Sequence, residues 1–324
     1  MKTVTERDHN NLLHKVARAY YEDELTQELI GQRFGLSRIK ISRLLRQARE
    51  EGIVKISLSM PKDEHVDLER SLENKYGLNE VLIARPAADD AESIRIALGF
   101  TAANCLMRTL RGEEIVAFNW GGTLLALVEA LQSPTGAMIR DWPRIKIVQS
   151  LGGLGSPEAD VYSAGLVHRL ARTFGAKARI LAAPGIVTSA SVCRELMKDE
   201  QIFNTIELAS KADIALMGIG QLTPKSAIMQ ANIIPMKEYK QFLGLNVVGD
   251  IGLRFFDENG ICINHEINER VLGLTLEQIK KIPRAIGVAG GPDKFKSIHA
   301  ALKGKLINVL VTDIFTANRL MEEK

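Results

Sequence analysis

Two glycines and a threonine follow a short apolar run in the middle of the chain, an arrangement that can bind an anion. The run 115–118 predicts a strand, Gly121 and Gly122 allow a tight turn, and a helix begins near Thr123. Backbone N–H groups at a helix start bind anions, glycine allows close approach, and the threonine hydroxyl adds a donor. The loop lacks the endings that define P-loops and dinucleotide sites, so a simple tight turn is the alternative.

A second strand-Gly-Gly-helix loop adds a cation, and a third segment adds a carboxylate. Gly290 and Gly291 follow the run 285–289, and Lys294 falls in the first turn of the next helix, where a lysine opposes the helix dipole. A cation there favours an anionic ligand, with a solvated surface lysine as the alternative. Asp250 is flanked by small and apolar residues, so its carboxylate either accepts hydrogen bonds from ligand hydroxyls or caps a turn.

Catalysis is another interpretation of these groups. Isomerisation or deamination of a sugar phosphate needs an acid and a base beside the reacting carbons. Asp250 with His265 or Glu266 would supply such a pair, but residues 265–270 are equally typical of a charged helix start. We therefore predict a ligand site without enzymatic activity. The sequence has no His-x-x-x-His pattern and no closely paired cysteines, so we predict no metal and no cofactor.

The N-terminal part of the chain has a different chemistry, because residues 33–49 contain six basic side chains and no acid. Thr26 and Ser37 are suited to cap two helices, and Gly35 falls between them, where a tight turn needs a positive φ. Apolar residues at 41, 44, 45 and 48 predict the buried side of the second helix. The pattern predicts a helix-turn-helix that binds operator DNA; a solvated basic helix and a helix-turn-helix used for assembly are the alternatives.

The second helix of a helix-turn-helix places its N-terminal part in the major groove of DNA. We therefore predict contacts with base edges or nearby phosphates from the residues that begin this helix, namely Ser37, Arg38, Ile39, Ser42 and Arg43. Arg46 and Lys55 are predicted to contact phosphate only. A supporting helix over 12–21, and a strand over 52–58 that would form a short wing, complete the predicted module.

Seven short apolar runs alternate with amphipathic helical patterns in the rest of the chain. They are 81–84, 115–118, 145–148, 179–182, 214–217, 285–289 and 307–311. Such runs predict an α/β fold with an open, parallel, Rossmann-like sheet covered on both faces. Ligands bind beyond the carboxyl ends of such strands, so we predict that the glycine loops there, Gly152-Gly153 among them, meet in one crevice.

Charge and composition predict two domains. Residues 1–60 hold 11 Lys/Arg and 8 Asp/Glu, whereas residues 61–324 hold 31 of each, so the whole formal charge of +3 lies in the first segment. We predict a DNA-binding domain over 1–60 and a ligand-binding domain over 61–324. A helix over 66–76 either connects them or pairs two copies, and we favour pairing because helix-turn-helix proteins commonly bind DNA as dimers.

Cysteine usage and hydropathy predict a cytoplasmic protein that does not interact with membranes. Cys105, Cys193 and Cys262 are far apart, which is typical of free thiols in a reducing compartment. The N-terminus is polar, and no apolar run approaches the roughly 20 residues of a membrane span.

A series of short motifs spans nearly the whole chain. They are Ser-Arg-Leu-Leu-Arg46, Trp-Gly-Gly-Thr123, Gly-Gly-Leu-Gly155, Gly-Asp-Ile251, Arg-Phe-Phe-Asp257, Val-Ala-Gly-Gly-Pro-Asp-Lys294 and Ile-Asn-Val-Leu-Val-Thr-Asp313. With these motifs in this order, the chain resembles the SorC-type sugar-binding transcriptional regulators, sometimes grouped with DeoR. The resemblance implies a helix-turn-helix followed by an effector domain with the fold of sugar-phosphate isomerases and deaminases. It also implies a phosphorylated sugar or polyol as effector, and assembly as a dimer or tetramer.

The resemblance also assigns roles by motif position. It implies that Gly121, Gly122 and Thr123 form the phosphate-side loop, and that Gly152 and Gly153 form a pocket wall. It implies that Asp250 contacts ligand hydroxyls and that Lys294 contacts the anionic end of the ligand. Family members often carry a polar or charged residue where this chain has Gly122. Leu151 precedes Gly152, so this loop offers no lysine for an imine with an aldehyde.

Overall fold

The computed structural model describes residues 4–55, 65–133, 141–153, 157–224, 226–230 and 233–323. The chain divides into two compact units, Met1–Asp63 and Glu64–Lys324. Of the predicted wing, residues 52–55 are not in a strand, and residues 56–58 lie outside the described residues. Most of the polar break at 61–65 also lies outside them.

The first unit contains three helices, α1 (Val4–Tyr21), α2 (Gln27–Phe34) and α3 (Arg38–Glu50). The side chain of Thr26 accepts a hydrogen bond from Leu29 N at the start of α2, and Ser37 accepts one from Lys40 N at the start of α3. Gly35 has a φ of 66°, in the left-handed region that favours glycine. Both predicted caps and the predicted turn glycine are therefore confirmed.

The three helices enclose a small core of their own. It includes Leu13, Val16, Ile30, Ile41, Leu44, Leu45 and Ala48, so the predicted buried side of α3 is confirmed. Gly31 of α2 packs against the turn: a Cβ at this position would lie 2.6 Å from the carbonyl oxygen of Leu36. The basic and polar side chains on the opposite side of α3 are exposed and form a basic surface.

Ten strands lie in the described part of the second unit. They are β1 (Glu80–Ala84), β2 (Ile115–Phe118), β3 (Lys146–Gln149), β4 (Lys177–Arg179), β5 (Ile214–Gly218), β6 (Gly220–Gln221), β7 (Val247–Ile251), β8 (Arg254–Asp257), β9 (Arg284–Val288) and β10 (Val309–Asp313). Seven form a sheet in the order β1-β10-β9-β5-β2-β3-β4, and every pairing in it is parallel. The predicted α/β fold is confirmed, and six of the seven predicted apolar runs contribute a strand.

One predicted strand is displaced. The run 179–182 was expected to pair, but β4 occupies residues 177–179 at the edge of the sheet. The following backbone is bonded elsewhere: Leu181 N donates to the side chain of Gln149, and Pro184 forms a bridge with Gly153. The chain therefore leaves the sheet earlier than its hydropathy suggests.

Eleven α-helices of this unit are described. They are α4 (Val66–Tyr76), α5 (Ala91–Thr109), α6 (Gly122–Gln132), α7 (Pro157–Thr173), α8 (Ala190–Leu196), α9 (Glu200–Ser210), α10 (Ala227–Gln230), α11 (Met236–Gly244), α12 (Leu276–Lys280), α13 (Phe295–Lys303) and α14 (Ile314–Glu322). Buried side chains of α5, α6 and α7 share one core cluster with the sheet, and those of α4, α9, α13 and α14 share another. The sheet is thus covered on both faces, as predicted.

Helix α4 is used inside the unit. Leu72 is fully buried in the core, and the hydroxyl of Tyr76 donates to the carbonyl oxygen of Leu320 over 2.9 Å. Lys75 Nζ donates to the same carbonyl over 2.8 Å and to that of Met321 over 3.0 Å. The apolar side of α4, which we expected to pair two copies, therefore packs within one chain, because the end of α14 offers it both apolar surface and free carbonyl groups.

Strands β6, β7 and β8 form a separate antiparallel sheet. A tight hairpin that we do not predict from the sequence joins β7 and β8. Its two turn residues, Gly252 and Leu253, have φ values of 60° and 59°. Leucine is disfavoured in this region of φ, so the sequence carries only half of the usual signal for such a turn. The hairpin packs with α11 through a tilted contact between Phe242 and Phe255.

The closest contact between α5 and α6 gives a prediction about stability. A Cβ at Gly99 would lie 2.5 Å from the backbone carbonyl carbon of Ala126, so Gly99→Ala should push the two helices apart and destabilise the unit by roughly 1–3 kcal/mol. Gly244 ends α11 with open space around its Cα, so Gly244→Ala should stabilise by roughly 0.4–1 kcal/mol. Urea denaturation of both variants checks this, and equal effects would contradict the packing argument.

Candidate functional site

A cavity of about 250 Å³ lies beyond the carboxyl ends of β2 and β5, beside the β7–β8 hairpin. Its described lining residues are Asn119, Trp120, Gly121, Gly122, Thr123, Leu124, Leu151, Gly218, Ile219, Gly220, Gln221, Ser226, Ile228, Asp250, Gly252, Leu253 and Lys294. Residues far apart in the chain converge here because parallel strands end at the same edge of the sheet. The size suits a small metabolite.

The Gly-Gly-Thr turn presents the start of α6 to this cavity. Gly121 has a φ of 145°, a conformation that side chains rarely adopt, and Gly122 is the first residue of the helix. The N–H groups of the first helical turn have no acceptor within their own helix. Trp120 N is already bonded to the side chain of Asn119 at 2.7 Å, so the turn offers the amides that follow. With the Thr123 hydroxyl, they form a surface complementary to an anion.

The second Gly-Gly loop contributes the side chain of Lys294 to the cavity, whereas the amide of Gly291 is bonded within the protein. Gly291 N donates to Asp313 Oδ2 over 2.7 Å and to Thr316 Oγ1 over 3.0 Å. The Asp313 carboxylate also lies where a Cβ of Gly290 would stand, so only glycine fits there. We expected the turn to position a cation, and Lys294 does line the cavity; the amide of Gly291 is occupied by the protein itself.

Asp250 both caps a turn and faces the cavity, so the two alternatives derived from the sequence occur together. Its Oδ2 accepts a hydrogen bond from Leu253 N at 3.0 Å, inside the hairpin. The neighbouring strand places Gly220 against its Oδ1, where no side chain would fit. Burial raises the pKa of Asp250 to about 6, and the Leu253 amide and the charge of Lys294 limit the rise.

Lys294 is the complement of that carboxylate. Burial lowers the pKa of Lys294 from its ordinary value, and the negative charge of Asp250 opposes the change. Desolvation therefore disfavours the charged form of both groups. A ligand with one anionic group and several hydroxyls would supply a partner for the ammonium and donors for the carboxylate.

The structure does not bring every predicted residue to the cavity. Gly152 and Gly153 are not among its described lining residues, whereas the preceding Leu151 is. The glycines serve packing: a Cβ at Gly152 would lie 2.5 Å from the carbonyl oxygens of Ala183 and Pro184. The expectation that these two glycines form the pocket wall is therefore corrected to Leu151.

The acid and base of the catalytic alternative are also not brought together. His265 and Glu266 are not among the described lining residues. His265 Nδ1 accepts a hydrogen bond from Ile267 N at 3.2 Å and caps a 3₁₀ turn, Glu266–Glu269, and its ring packs edge-on against Phe242. Among the described residues no group of three His, Cys, Asp or Glu side chains is arranged to hold a metal ion.

Several lining residues were missed by the sequence analysis. Asn119, Trp120, Gln221 and Ser226 contribute polar groups, and Ile228 an apolar one. The signal available for Asn119 was its place directly after the predicted strand 115–118, whereas Gln221 lies four residues beyond the predicted run 214–217. Ser226 lies in an irregular segment that no periodicity marks.

In the first unit, α3 presents the predicted DNA-contacting residues together. A shallow groove is lined by Gln27, Arg38, Ile39, Ser42, Arg43, Arg46 and Arg49. Ile39 has 68% of its surface exposed although it is apolar, which suits contact with a thymine methyl group. The Ser37 hydroxyl oxygen accepts the capping bond from Lys40 N, so its own O–H remains available to donate to a phosphate oxygen.

Two parts of the chain match different family models. Residues 61–322 match the Sugar-bind family model, a sugar-binding domain, and residues 14–51 match the model of sigma-70 region 4. The chain is 32% identical to the deoxyribonucleoside regulator of Bacillus subtilis over 98% of its length and 99% of the relative. It is 30% identical to the sorbitol operon regulator of Klebsiella pneumoniae over 97% of its length and 99% of the relative.

A solved structure gives the same result for the fold. The crystal structure of the full-length sorbitol operon regulator SorC from Klebsiella pneumoniae superposes with a TM-score of 0.73 at 29% identity. The match covers 97% of this chain and 99% of that chain.

No described helix has both the length and the apolar character needed to cross a membrane.

The raised pKa of Asp250 gives a prediction about stability and pH. Its folded-state pKa of about 6 lies above the ordinary value of 3.8, so the unfolded chain loses this proton first and stability falls as pH rises from about 4 to 6. Asp250→Asn does not titrate. The ligand-free variant should therefore gain stability relative to wild type across that window, by up to about 3 kcal/mol.

Denaturation curves between pH 4 and pH 8 measure the gain, and the exposed Asp293→Asn is the control for removal of a carboxylate. A difference between Asp250→Asn and wild type that is constant across the whole range would contradict the buried, ionised carboxylate.

Proposed function

The chain belongs to the SorC-type family of sugar-binding transcriptional regulators, and from that premise we propose that it binds operator DNA through α3 and responds to a phosphorylated sugar or polyol held in the cavity. It acts as a homo-oligomer, a dimer or tetramer, in the cytoplasm. It senses its ligand without turning it over.

One observation carries the effector assignment: the Gly121–Thr123 turn, Lys294 and Asp250 surround a single cavity. The turn and the ammonium group suit a phosphate, while the carboxylate suits hydroxyls. A neutral sugar would leave the carboxylate of Asp250 as the anionic group that offsets the charge of Lys294, in a site where burial already disfavours that charge. The names of the relatives refer to different compounds, deoxyribonucleosides and sorbitol, so the cavity rather than the family must select the ligand.

The DNA assignment rests on the exposed face of α3. Arg38, Ile39, Ser42 and Arg43 lie on the first turns of this helix, the part that enters the major groove in a helix-turn-helix. Arg46 lies one turn further on and is suited to phosphate contact. Because the ligand cavity lies in the other unit, ligand binding and DNA binding are expected to be separable by mutation.

Arg43→Ala should weaken operator binding by roughly 1–3 kcal/mol if its guanidinium reads a base. Arg18→Ala is the matched control, because Arg18 lies on α1 and pairs with Glu22 on the surface. Gel-shift titration at fixed salt, with an operator selected from random-sequence DNA, measures both. Equal affinities of Arg43→Ala and wild type, with the helical content preserved, would remove Arg43 from the interface.

Lys294→Ala should lower the affinity for fructose 6-phosphate at least about tenfold, because a hydrogen bond to a charged group contributes roughly 1.5–3 kcal/mol. It should leave ligand-free DNA binding near that of wild type. Lys296→Ala, an exposed position on α13, is the matched control and should change neither property. Titration calorimetry with ribose 5-phosphate, fructose 6-phosphate and glucitol 6-phosphate, and with their unphosphorylated forms, tests the proposal. It is overturned if each phosphorylated compound binds no better than its unphosphorylated form.

A further inference from the structure

Two buried polar side-chain atoms on the cavity wall have no hydrogen-bond partner among the residues that the structure describes. Gln221 Oε1 and Ser226 Oγ are buried, and neither is bonded to any residue that the structure describes. Both residues line the cavity, and Ser226 has only 8% of its surface exposed. Buried polar groups are almost always hydrogen-bonded in folded proteins. Two unsatisfied groups on one wall therefore indicate that something else completes their bonding.

Ser226 does not perform the usual structural role of a serine at its position. It immediately precedes α10, where a serine hydroxyl commonly accepts a bond from an amide of the first turn. Here Met229 N bonds to the backbone carbonyl oxygen of Ser226 over 3.0 Å, and the hydroxyl oxygen stays unbonded. The side chain is therefore available for a ligand.

Gln221 is placed beside the acidic side of the cavity. It ends β6, in register with Gly249 of β7, and its neighbour Gly220 is in register with Asp250. An amide and a hydroxyl both donate and accept hydrogen bonds, as a sugar hydroxyl does. The two side chains are neutral, so they supply no charge to hold a phosphate, in contrast to Lys294.

We propose that Gln221 and Ser226 form a hydroxyl-recognition subsite, which determines which sugar or polyol phosphate the cavity accepts. The proposal rests on the effector function proposed above. In it, the turn at Gly121–Thr123 and Lys294 bind the phosphate that all candidate effectors share, and the subsite contacts the carbon chain that distinguishes them.

Substitutions in the same segment separate this role from a structural one. Thr223 Oγ1 is also buried without a described partner, but Thr223 is not among the described lining residues, so Thr223→Val is a matched control. A group that is unsatisfied in the free protein contributes nothing to folding, and its removal should not destabilise. Ser226→Ala and Thr223→Val should therefore both keep or raise the melting temperature of the ligand-free protein.

The test measures the affinity of the full chain for ribose 5-phosphate, fructose 6-phosphate and glucitol 6-phosphate, with inorganic phosphate as a competitor. Gln221→Leu and Ser226→Ala should each weaken the tightest of the three sugar phosphates by roughly three- to tenfold and leave the inhibition constant of inorganic phosphate unchanged. Thr223→Val should change neither, and Lys294→Ala should weaken both.

Three results would overturn the subsite. They are unchanged sugar-phosphate affinity in Ser226→Ala, an equal loss for inorganic phosphate, and a lowered melting temperature in Ser226→Ala but not in Thr223→Val. If Gln221→Leu does not fold, Ser226→Ala decides alone, since it removes a single oxygen atom. If none of the sugar phosphates binds the wild type, the effector function itself fails and the subsite fails with it. Binding that depends on Lys294 but not on Gln221 or Ser226 would retain the function and reject only the subsite.

Discussion

The parallel pairing of β5 between β2 and β9 is the constraint on which the ligand-binding unit depends. Adjacent parallel strands end at the same edge of a sheet, so the loops after them meet although they are far apart in sequence. One loop brings the start of α6, the second brings Lys294, and the third leads through β6 to Asp250. The backbone hydrogen bonds of the sheet therefore bring these residues together, and local bonds such as that from Leu253 N to Asp250 fix them around the cavity.

The cavity combines this rigid frame with groups that are unfavourable in the absence of ligand. Burial disfavours the charge on both Asp250 and Lys294, and Gln221 and Ser226 each hold an unsatisfied polar atom among the described residues. The packing on both faces of the sheet offsets the free-energy cost of these buried, unsatisfied groups. A ligand that completes these interactions stabilises the protein by mass action. Its binding free energy can then shift the equilibrium between two conformations of the regulator.

Much of this arrangement was predictable from the sequence, and the exceptions have physical causes. Six of the seven parallel strands, both Gly-Gly turns and the caps at Thr26 and Ser37 follow from local signals that the fold does not override. The pairing partner of α4 was not predictable, because an amphipathic helix carries no sign of which surface covers it. The role of Gly152 was not predictable, because its small size is needed for a close backbone contact. The Gly252-Leu253 turn was not predictable either, because leucine adopts a disfavoured φ there. The unsatisfied atoms of Gln221 and Ser226 could not be predicted either, because burial and missing partners depend on the folded structure and not on the local sequence.

Helix α14 connects two parts of the ligand-binding unit. Asp313 and Thr316 bind the amide of Gly291, and the guanidinium of Arg319 lies 4.0 Å above the ring of Phe295, next to Lys294. The same helix ends on Lys75 and Tyr76 of α4. The first turn of α14 holds the loop that leads to Lys294, and its last turn holds the first helix of the unit, so we expect α14 to open together with the core of the unit. Removal of α14 would thus disturb the position of Lys294, although no residue of α14 lines the cavity among those described.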